Sequence, residues 1–292
     1  MSNRVVLLVF SFVICINCSS QPNKRTNHWY FGYHCGLDFN SGQPIYNNLG
    51  QIYSQSGIHG SSSISDTNGN LLFYTDGIAV WDKFHEIINY SYNQEFDPGS
   101  QGVLIVPLPG SESIFYIFGA RLTESSQLPI IYYTLDISLN NGLGGIISTD
   151  TLLQSYDATE KITACYHKNK NEIWVITRKY IDDNFATYRI TSDGVDPTPI
   201  LSPAPDRDFS YGPDVRGYMK ISYDKKYLVA CYYGGTHSDE AYVEVCRFSP
   251  STGIVTFLHT FCLRNSIAPM IPYRPFGCEF SPDSIFVYIS QI

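Results

Sequence analysis

The feature that most constrains this chain is a turn that keeps returning. Tight-turn signals stand at Thr67-Asn68-Gly69-Asn70, Pro109-Gly110-Ser111, residues 168–171, Tyr223-Asp224-Lys225 and Pro282-Asp283-Ser284. Each separates two short strand-like runs, such as SSSIS before and LLFYT after Asn68-Gly69. Asn-Gly supplies the positive φ angles that a two-residue hairpin requires. The turns recur about every 40 to 60 residues, and each interval holds up to four short strands. That period is the signature of a β-propeller blade.

Further strands fill the intervals. IAVWD follows the first hairpin, IIYYTLDI the second, FATYRIT the third and AYVEVCRF the fourth. Residues 197–213 carry five prolines and read as a long loop. Composition supports the same class. The chain has 23 Tyr and 17 Phe against nine Ala, which favours pleated sheets over helices. Its 22 Gly and 16 Pro supply the turns. A β-sandwich would explain the strands but not the repeated four-strand unit. The expected fold is all-β, a propeller of four-stranded blades. Four units fit in residues 57–261, and two strands of a fifth follow, so the propeller reads as incomplete. Truncation, a frameshift or a split gene would account for that, as would completion by a second chain.

The formal charge is -8, with 19 Lys and Arg against 27 Asp and Glu. No basic stripe is present, which excludes nucleic acid as the expected partner. The first 18 residues have the form of a secretory signal: Arg4, then an apolar stretch at 5–16, then a polar run. That stretch is too short to span a bilayer, and no later window is long enough, so the mature chain is expected to lack a transmembrane span. Cys18 followed by Ser19-Ser20 is a candidate lipidation site of the bacterial lipoprotein kind, although Cys15, Ile16 and Asn17 fit that pattern poorly. Ordinary cleavage near residues 18–21 is the alternative. The expected organisation is a signal peptide at 1–18, a linker at 19–27 and the propeller domain at 28–292.

Six cysteines lie beyond the signal: Cys35, Cys165, Cys231, Cys246, Cys262 and Cys278. Their pairing is open, since six cysteines allow about 15 full connectivities. Four fall within 231–278, where a disulfide or plain burial of small apolar side chains is expected. No CxxC or clustered Cys/His spacing suggests zinc.

Several stretches together resemble a known family. They are NHWYFGYHCGLDF at 27–39, SISDTNGNLLFYTDGIAVWD at 63–82, LNNGLGG at 139–145, DATEKITACYH at 157–167 and FGCEFSPDSIFVYI at 276–289. The chain resembles the N-terminal propeller-like region of large surface or secreted Bacteroidetes proteins. Many of those carry PKD-type repeats and a gliding-motility-associated domain used for type IX secretion. Neither is read in these 292 residues. The resemblance implies adhesion or binding at the cell surface, and it implies a ring-closing role for the HWYFGY strand in the last blade, with its partner strand missing here.

Candidate chemistry is sparse. Asp66, Asn68 and Asn70 are oxygen-rich, but a tight turn explains them with fewer assumptions than calcium. Ser65-Asp66, Ser222 with Asp224, and Ser281 with Asp283 repeat a Ser/Asp pattern that can cap turn amides. Asp157 with Glu160, or Asp239 with Glu240, are the nearest carboxylate pairs for glycosidase chemistry. His59, His85, His167, His237 and His259 are scattered, and a metal site there would require convergence in space. Tyr30, Tyr33, Tyr132, Tyr133, Tyr232 and Tyr233 suit either blade cores or stacking on sugars. No catalytic, cofactor or metal residue is assigned, and no cofactor is expected. The sequence points to a non-enzymatic binding or adhesion scaffold at the outer membrane, cell surface or outside the cell. Its expected partner is a polysaccharide or an envelope protein. An exported carbohydrate-active enzyme and a non-functional fragment of a larger adhesin are the alternatives.

Overall fold

The structure is a computed structural model that describes residues 24–52, 60–90, 98–121, 130–152, 158–179, 182–206, 216–233, 241–262 and 274–291. Cys18 and the signal segment lie outside the described residues, as do His59, Asp157, His237, Asp239 and Glu240. Among the described residues, no helix is long and apolar enough to cross a membrane.

The strands form six antiparallel sheets in chain order. The first has three strands, β1 (His28–Gly32), β2 (Cys35–Asp38) and β3 (Ile45–Asn47). The second has four, β4 (Ser62–Ser65), β5 (Leu71–Thr75), β6 (Ala79–Asp82) and β7 (Ile87–Tyr90). The third has β8 (Pro98–Pro107), β9 (Ile114–Arg121), β10 (Ile130–Asp136) and β11 (Gly145–Leu152). The fourth has β12 (Ala158–Tyr166), β13 (Ile173–Lys179), β14 (Asn184–Thr191), β15 (Gly194–Val195) and β16 (Ile200–Pro203). The fifth has β17 (Met219–Ile221), β18 (Tyr227–Tyr232), β19 (Tyr242–Phe248) and β20 (Val255–Cys262). The sixth pairs β21 (Pro275–Phe280) with β22 (Val287–Gln291).

The first strand of each sheet packs against the first strand of the next, from β1 to β4, β8, β12, β17 and β21. This is the propeller arrangement, with first strands gathered inward and later strands fanning out. The middle strands are buried on both faces, and their side chains divide by parity. On β13, Ile173 and Val175 face the third sheet, while Trp174 and Ile176 face the fifth. On β9, Phe115 and Ile117 face the second sheet, while Tyr116 and Phe118 face the fourth. On β18, Leu228, Ala230 and Tyr232 face the fourth sheet, while Val229 and Cys231 face the sixth. Among the described residues, each pair of neighbouring sheets has its own apolar layer.

All five recurrent turns hold a residue in the left-handed region: Gly69 (φ 94°), Gly110 (φ 81°), Lys170 (φ 64°), Lys225 (φ 60°) and Ser284 (φ 62°). The Ser/Asp pattern caps three of them. Ser222 Oγ accepts the Lys226 and Tyr227 N–H groups and Ser281 Oγ accepts that of Phe286. Asp66 Oδ1 accepts the N–H groups of Asn68 and Asn70, and its Oδ2 accepts the Asn70 amide. Hydrogen bonds from these amides, and the Asn70 side chain, hold the Asp66 carboxyl below the usual carboxylate range although burial opposes them. The carboxylate is therefore a turn cap.

Two expectations are corrected. HWYFGY is the first strand of its own sheet and not a strand of a last blade: His28, Trp29 and Tyr30 pair with Asp38, Leu37 and Gly36 of β2. Tyr30 is buried against Tyr74, their rings 4.4 Å apart, so β1 seals the inner face of its own sheet onto the second. The Pro-rich loop also contains a strand. Residues Ile200–Pro203 pair with Asn184–Thr187 as an outer edge, where Pro203 needs no ladder donor.

Candidate functional site

The inward gathering of first strands leaves a cavity of about 520 Å³ between them. Ser62 of β4, Gln101 and Val103 of β8, Ile162 to Tyr166 of β12, Lys220 of β17 and Glu279 of β21 line it. The first strands run from one end of the cavity towards the recurrent turns at the other. Tyr166, Tyr223 and Lys225 stand at that turn end.

The floor lies at the strand starts, and side chains knit it together. The Gln101 carboxamide binds both main-chain groups of Met219. Met219 N–H donates to Oε1 at 2.6 Å, and Nε2 donates to Met219 O at 2.9 Å. An amide side chain thus mimics a neighbouring strand on the inward edge of β17, where backbone groups would otherwise lack partners. Beside it, the Ser100 N–H and hydroxyl both donate to one carboxylate oxygen of Glu160, and Gly217 N–H donates to Ser100 Oγ at 2.9 Å. These contacts tie β8, β12 and the residues before β17 at one point.

A charged layer lies beside the floor, on the inner strands of the fourth sheet and the strands packed against them. Glu160, Lys161, Arg178 and Glu244 are all essentially inaccessible. They supply two negative and two positive charges, which is how buried charge is tolerated. Lys161 Nζ donates to Arg216 O at 2.9 Å and sits 4.3 Å from the Tyr232 ring centre. Burial pushes the Lys161 ammonium down to about 8, and Glu160 partly opposes that shift. Tyr232 donates to Glu244 Oε2 at 2.8 Å, and burial raises its phenol well above the usual value. Arg178 Nη1 donates to the carbonyls of Lys179, Asp182 and Asn184, and Nη2 to Pro205 O and Asp183 Oδ1. Five such acceptors make Arg178 the organiser of the β13–β14 connection.

The mouth is different in character. Lys220 Nζ and Glu279 Oε2 form an ion pair at 3.3 Å across two sheets. Tyr223 is 61% exposed and Tyr166 is 38% exposed. Lys225 Nζ lies 5.9 Å from the Tyr166 ring centre. Burial pushes the Cys165 thiol up to about 12, so it lines the wall as an unreactive thiol. The mouth therefore presents aromatic rings, hydroxyls and one lysine outside the ion pair, a lining suited to stacking and hydrogen bonding.

The residues singled out in the sequence fall mostly elsewhere. Cys165 and Ser222 line the cavity, and Glu160 lies beside its floor with its carboxylate engaged by Ser100. His85 lies in the β6–β7 turn, 3.1 Å from the Tyr74 hydroxyl. His167 accepts the Asn169 N–H through Nδ1 and reaches Ser251 O through Nε2, which fixes the Nε2–H tautomer. His259 packs on Phe261 in β20. Among the described residues, His85, His167 and His259 lie in different sheets or turns, and no group of three or more His, Cys, Asp and Glu is placed to hold a metal ion. Tyr30, Tyr133 and Tyr232 are core residues, Tyr132 and Tyr233 are half-buried, and Tyr33 is exposed. Gln101, Ser100 and Gly217 were not foreseen, because the contacts link positions 60 to 118 residues apart. One signal was present: Gly60, Gly99 and Gly217 each stand just before or at the start of an inner strand.

No family model matches this chain, and no curated protein sequence is significantly similar to it. Solved structures do match. The chain is similar to the hydrazine synthase of Kuenenia stuttgartiensis, with TM-score 0.42 and 11% identity over 88% of this chain and 68% of that one. It is similar to a putative 6-phosphogluconolactonase from Bacteroides uniformis, with TM-score 0.44 and 12% identity over 88% and 84%. It is also similar to a hypothetical selenium-binding protein from Sulfolobus tokodaii, with TM-score 0.47 and 12% identity over 93% and 66%.

Proposed function

We propose that this protein is a non-enzymatic binding scaffold of the cell envelope or of the secreted fraction, and that it takes a polysaccharide at the turn-end mouth of its central cavity. One observation carries the reading: the interlocked polar floor holds Glu160, an ion pair holds Glu279, and exposed tyrosines stand at the mouth. Glu160 is occupied by Ser100 and Glu279 by Lys220, so neither offers a free acid or base for glycoside cleavage. Tyr166 and Tyr223 offer π-faces on which a sugar ring can stack, with hydroxyls to orient it. The family resemblance noted above, and the signal-like first 18 residues, are the grounds for placing the protein outside the cytoplasm.

The test is binding of the purified chain to an array of bacterial and plant polysaccharides, followed by calorimetry on the best one. Tyr166→Ala and Tyr223→Ala should each weaken binding about 5-fold to 20-fold, the loss of one aromatic stack. Binding unaffected by both substitutions would sink the assignment to this mouth. Release of reducing sugar on incubation with the bound polymer would replace it with the enzymatic alternative.

A further inference from the structure

We propose that Cys231 and Cys278 form a disulfide site that fastens the sixth sheet to the fifth. Cys231 lies on β18 and Cys278 on β21, strands of adjacent sheets. Both side chains enter the same apolar layer, with Val229, Val243 and Phe280. Each sulfur sits against the other's strand or its flank. Cys231 Sγ lies 3.9 Å from Gly277 O, and Cys278 Sγ lies 3.8 Å from Val229 O. Cys278 Sγ also lies 3.5 Å from Tyr218 O, the carbonyl that accepts the Cys231 N–H at 2.8 Å. The neighbouring Cys231 thiol, together with burial, holds the Cys278 thiol well above its usual range.

The other cysteines lack this arrangement. Cys246 and Cys262 belong to β19 and β20 of one sheet, but Cys246 pairs with Phe257 and Cys262 with Tyr242. Cys35 lies on β2 of the first sheet and Cys165 on β12 of the fourth. Of the four cysteines within 231–278, one pair meets, and it joins strands from different sheets. The sixth sheet has only two strands, and its described partner surface is this single layer. A covalent link there restrains the element with the least sheet pairing of its own.

The oxidation requires a disulfide oxidant, and oxidised glutathione serves. One cysteine thiolate attacks a glutathione sulfur and expels one glutathione thiol. The second cysteine thiolate then attacks the protein sulfur of that mixed disulfide and expels the other. The protein loses two electrons and two protons, and the oxidant gains both. Since both thiols are buried, exchange proceeds before the sixth sheet docks or during openings that lift β21 from β18.

The test is to unfold the reduced full chain, refold it in a glutathione redox buffer, alkylate it and map the peptides by mass spectrometry. The expected result is one cross-linked pair, Cys231–Cys278, and a mass about 2 Da lower before alkylation. The oxidised protein should melt about 10 °C above the dithiothreitol-treated one. Cys278→Ala should abolish that difference, and Cys246→Ala should retain it. Cys231→Ser provides a second loss variant where Cys278→Ala fails to fold. Folded protein in which Cys231 and Cys278 are fully alkylated after oxidative refolding would overturn the proposal. So would cross-linking of either residue to a different cysteine.

Discussion

The floor of the cavity makes a demand on Gln101 that can be measured. Gln101→Ala removes two hydrogen bonds to Met219, one given and one received. Met219 is fully inaccessible, so its N–H and carbonyl lose their partners in a place that protein normally shields. Each lost bond costs about 0.5–1.5 kcal/mol net, and an orphaned buried group costs about 1–3 kcal/mol. The adjoining cavity of about 520 Å³ is large enough to admit water to those groups, which puts the total near the low end, about 2 kcal/mol. Gln101→Glu separates the two bonds. A carboxylate keeps the acceptor for Met219 N–H but sets a negative oxygen against Met219 O. Its cost at pH 7.5 should be about 3 kcal/mol, larger than that of alanine. The added carboxyl has a folded-state pKa raised by that contact, so acidification protonates it first in the folded chain. The protonated acid regains a donor, and the deficit should shrink as pH falls through about 5. The assay is urea unfolding followed by tryptophan fluorescence, with three Trp in the chain. A midpoint shift at constant slope reports stability. If Gln101→Ala falls within about 0.5 kcal/mol of wild type, or if the glutamate variant shows no relative recovery in acid, the floor is not held in this way.

Three further outcomes follow from the same geometry. A methyl added at position 99 would stand 2.2 Å from the Glu160 carboxyl carbon, so Gly99→Ala should cost more than about 3 kcal/mol in urea unfolding; Gly110→Ala, whose nearest neighbour is 3.9 Å away at φ 81°, should cost about 1 kcal/mol. Lys170→Gly relieves a left-handed lysine in an exposed turn and should leave stability unchanged or raise it by up to about 1 kcal/mol, read as a midpoint shift. The Lys161 ammonium titrates near 8 in the folded chain and higher when unfolded, so between about pH 8 and 10 the unfolded state holds the extra proton and stability from this group rises with pH. Subtracting the Lys161→Met profile removes the opposing thiols and phenols, and the difference should climb by about 1–3 kcal/mol across that window; a flat difference refutes the burial argument.

The turns were legible because they are local. Asn68-Gly69 and Pro109-Gly110 carry residues whose backbone freedom the turn requires, and Ser222-Asp224 and Ser281-Asp283 carry their own caps. Counting from these turns located the first hairpin of five sheets without any knowledge of tertiary contacts. β2 and β3 were missed because CGLD and IYN are short and largely unburied, and so show no alternation between core and solvent. β16 was missed because proline argues against a strand in general but not against an outer edge. The pairing of β1 was misjudged because a strand sequence fixes its own faces and not its partner.

The cavity floor belongs to another class of information. Its contacts join Ser100 to Glu160, Ser100 to Gly217 and Gln101 to Met219, and no local pattern encodes them. What the sequence does carry is the space they need. A Cβ at Gly99 would collide with Glu160, and one at Gly217 would stand 2.4 Å from the Cys231 carbonyl oxygen. Both glycines stand where inner strands begin, and there the backbones converge most tightly. The same convergence leaves the inward edges of those strands without ladder partners, so polar side chains must take the vacant places. Once Gln101, Ser100 and Glu160 are committed to the floor, they are withdrawn from any ligand. Under the proposed function, recognition would then fall to residues at the opposite end, where the strands diverge into turns and Tyr166 and Tyr223 remain accessible. In the proposed binding function, the narrowing that builds the floor is thus also what would direct a ligand to the mouth.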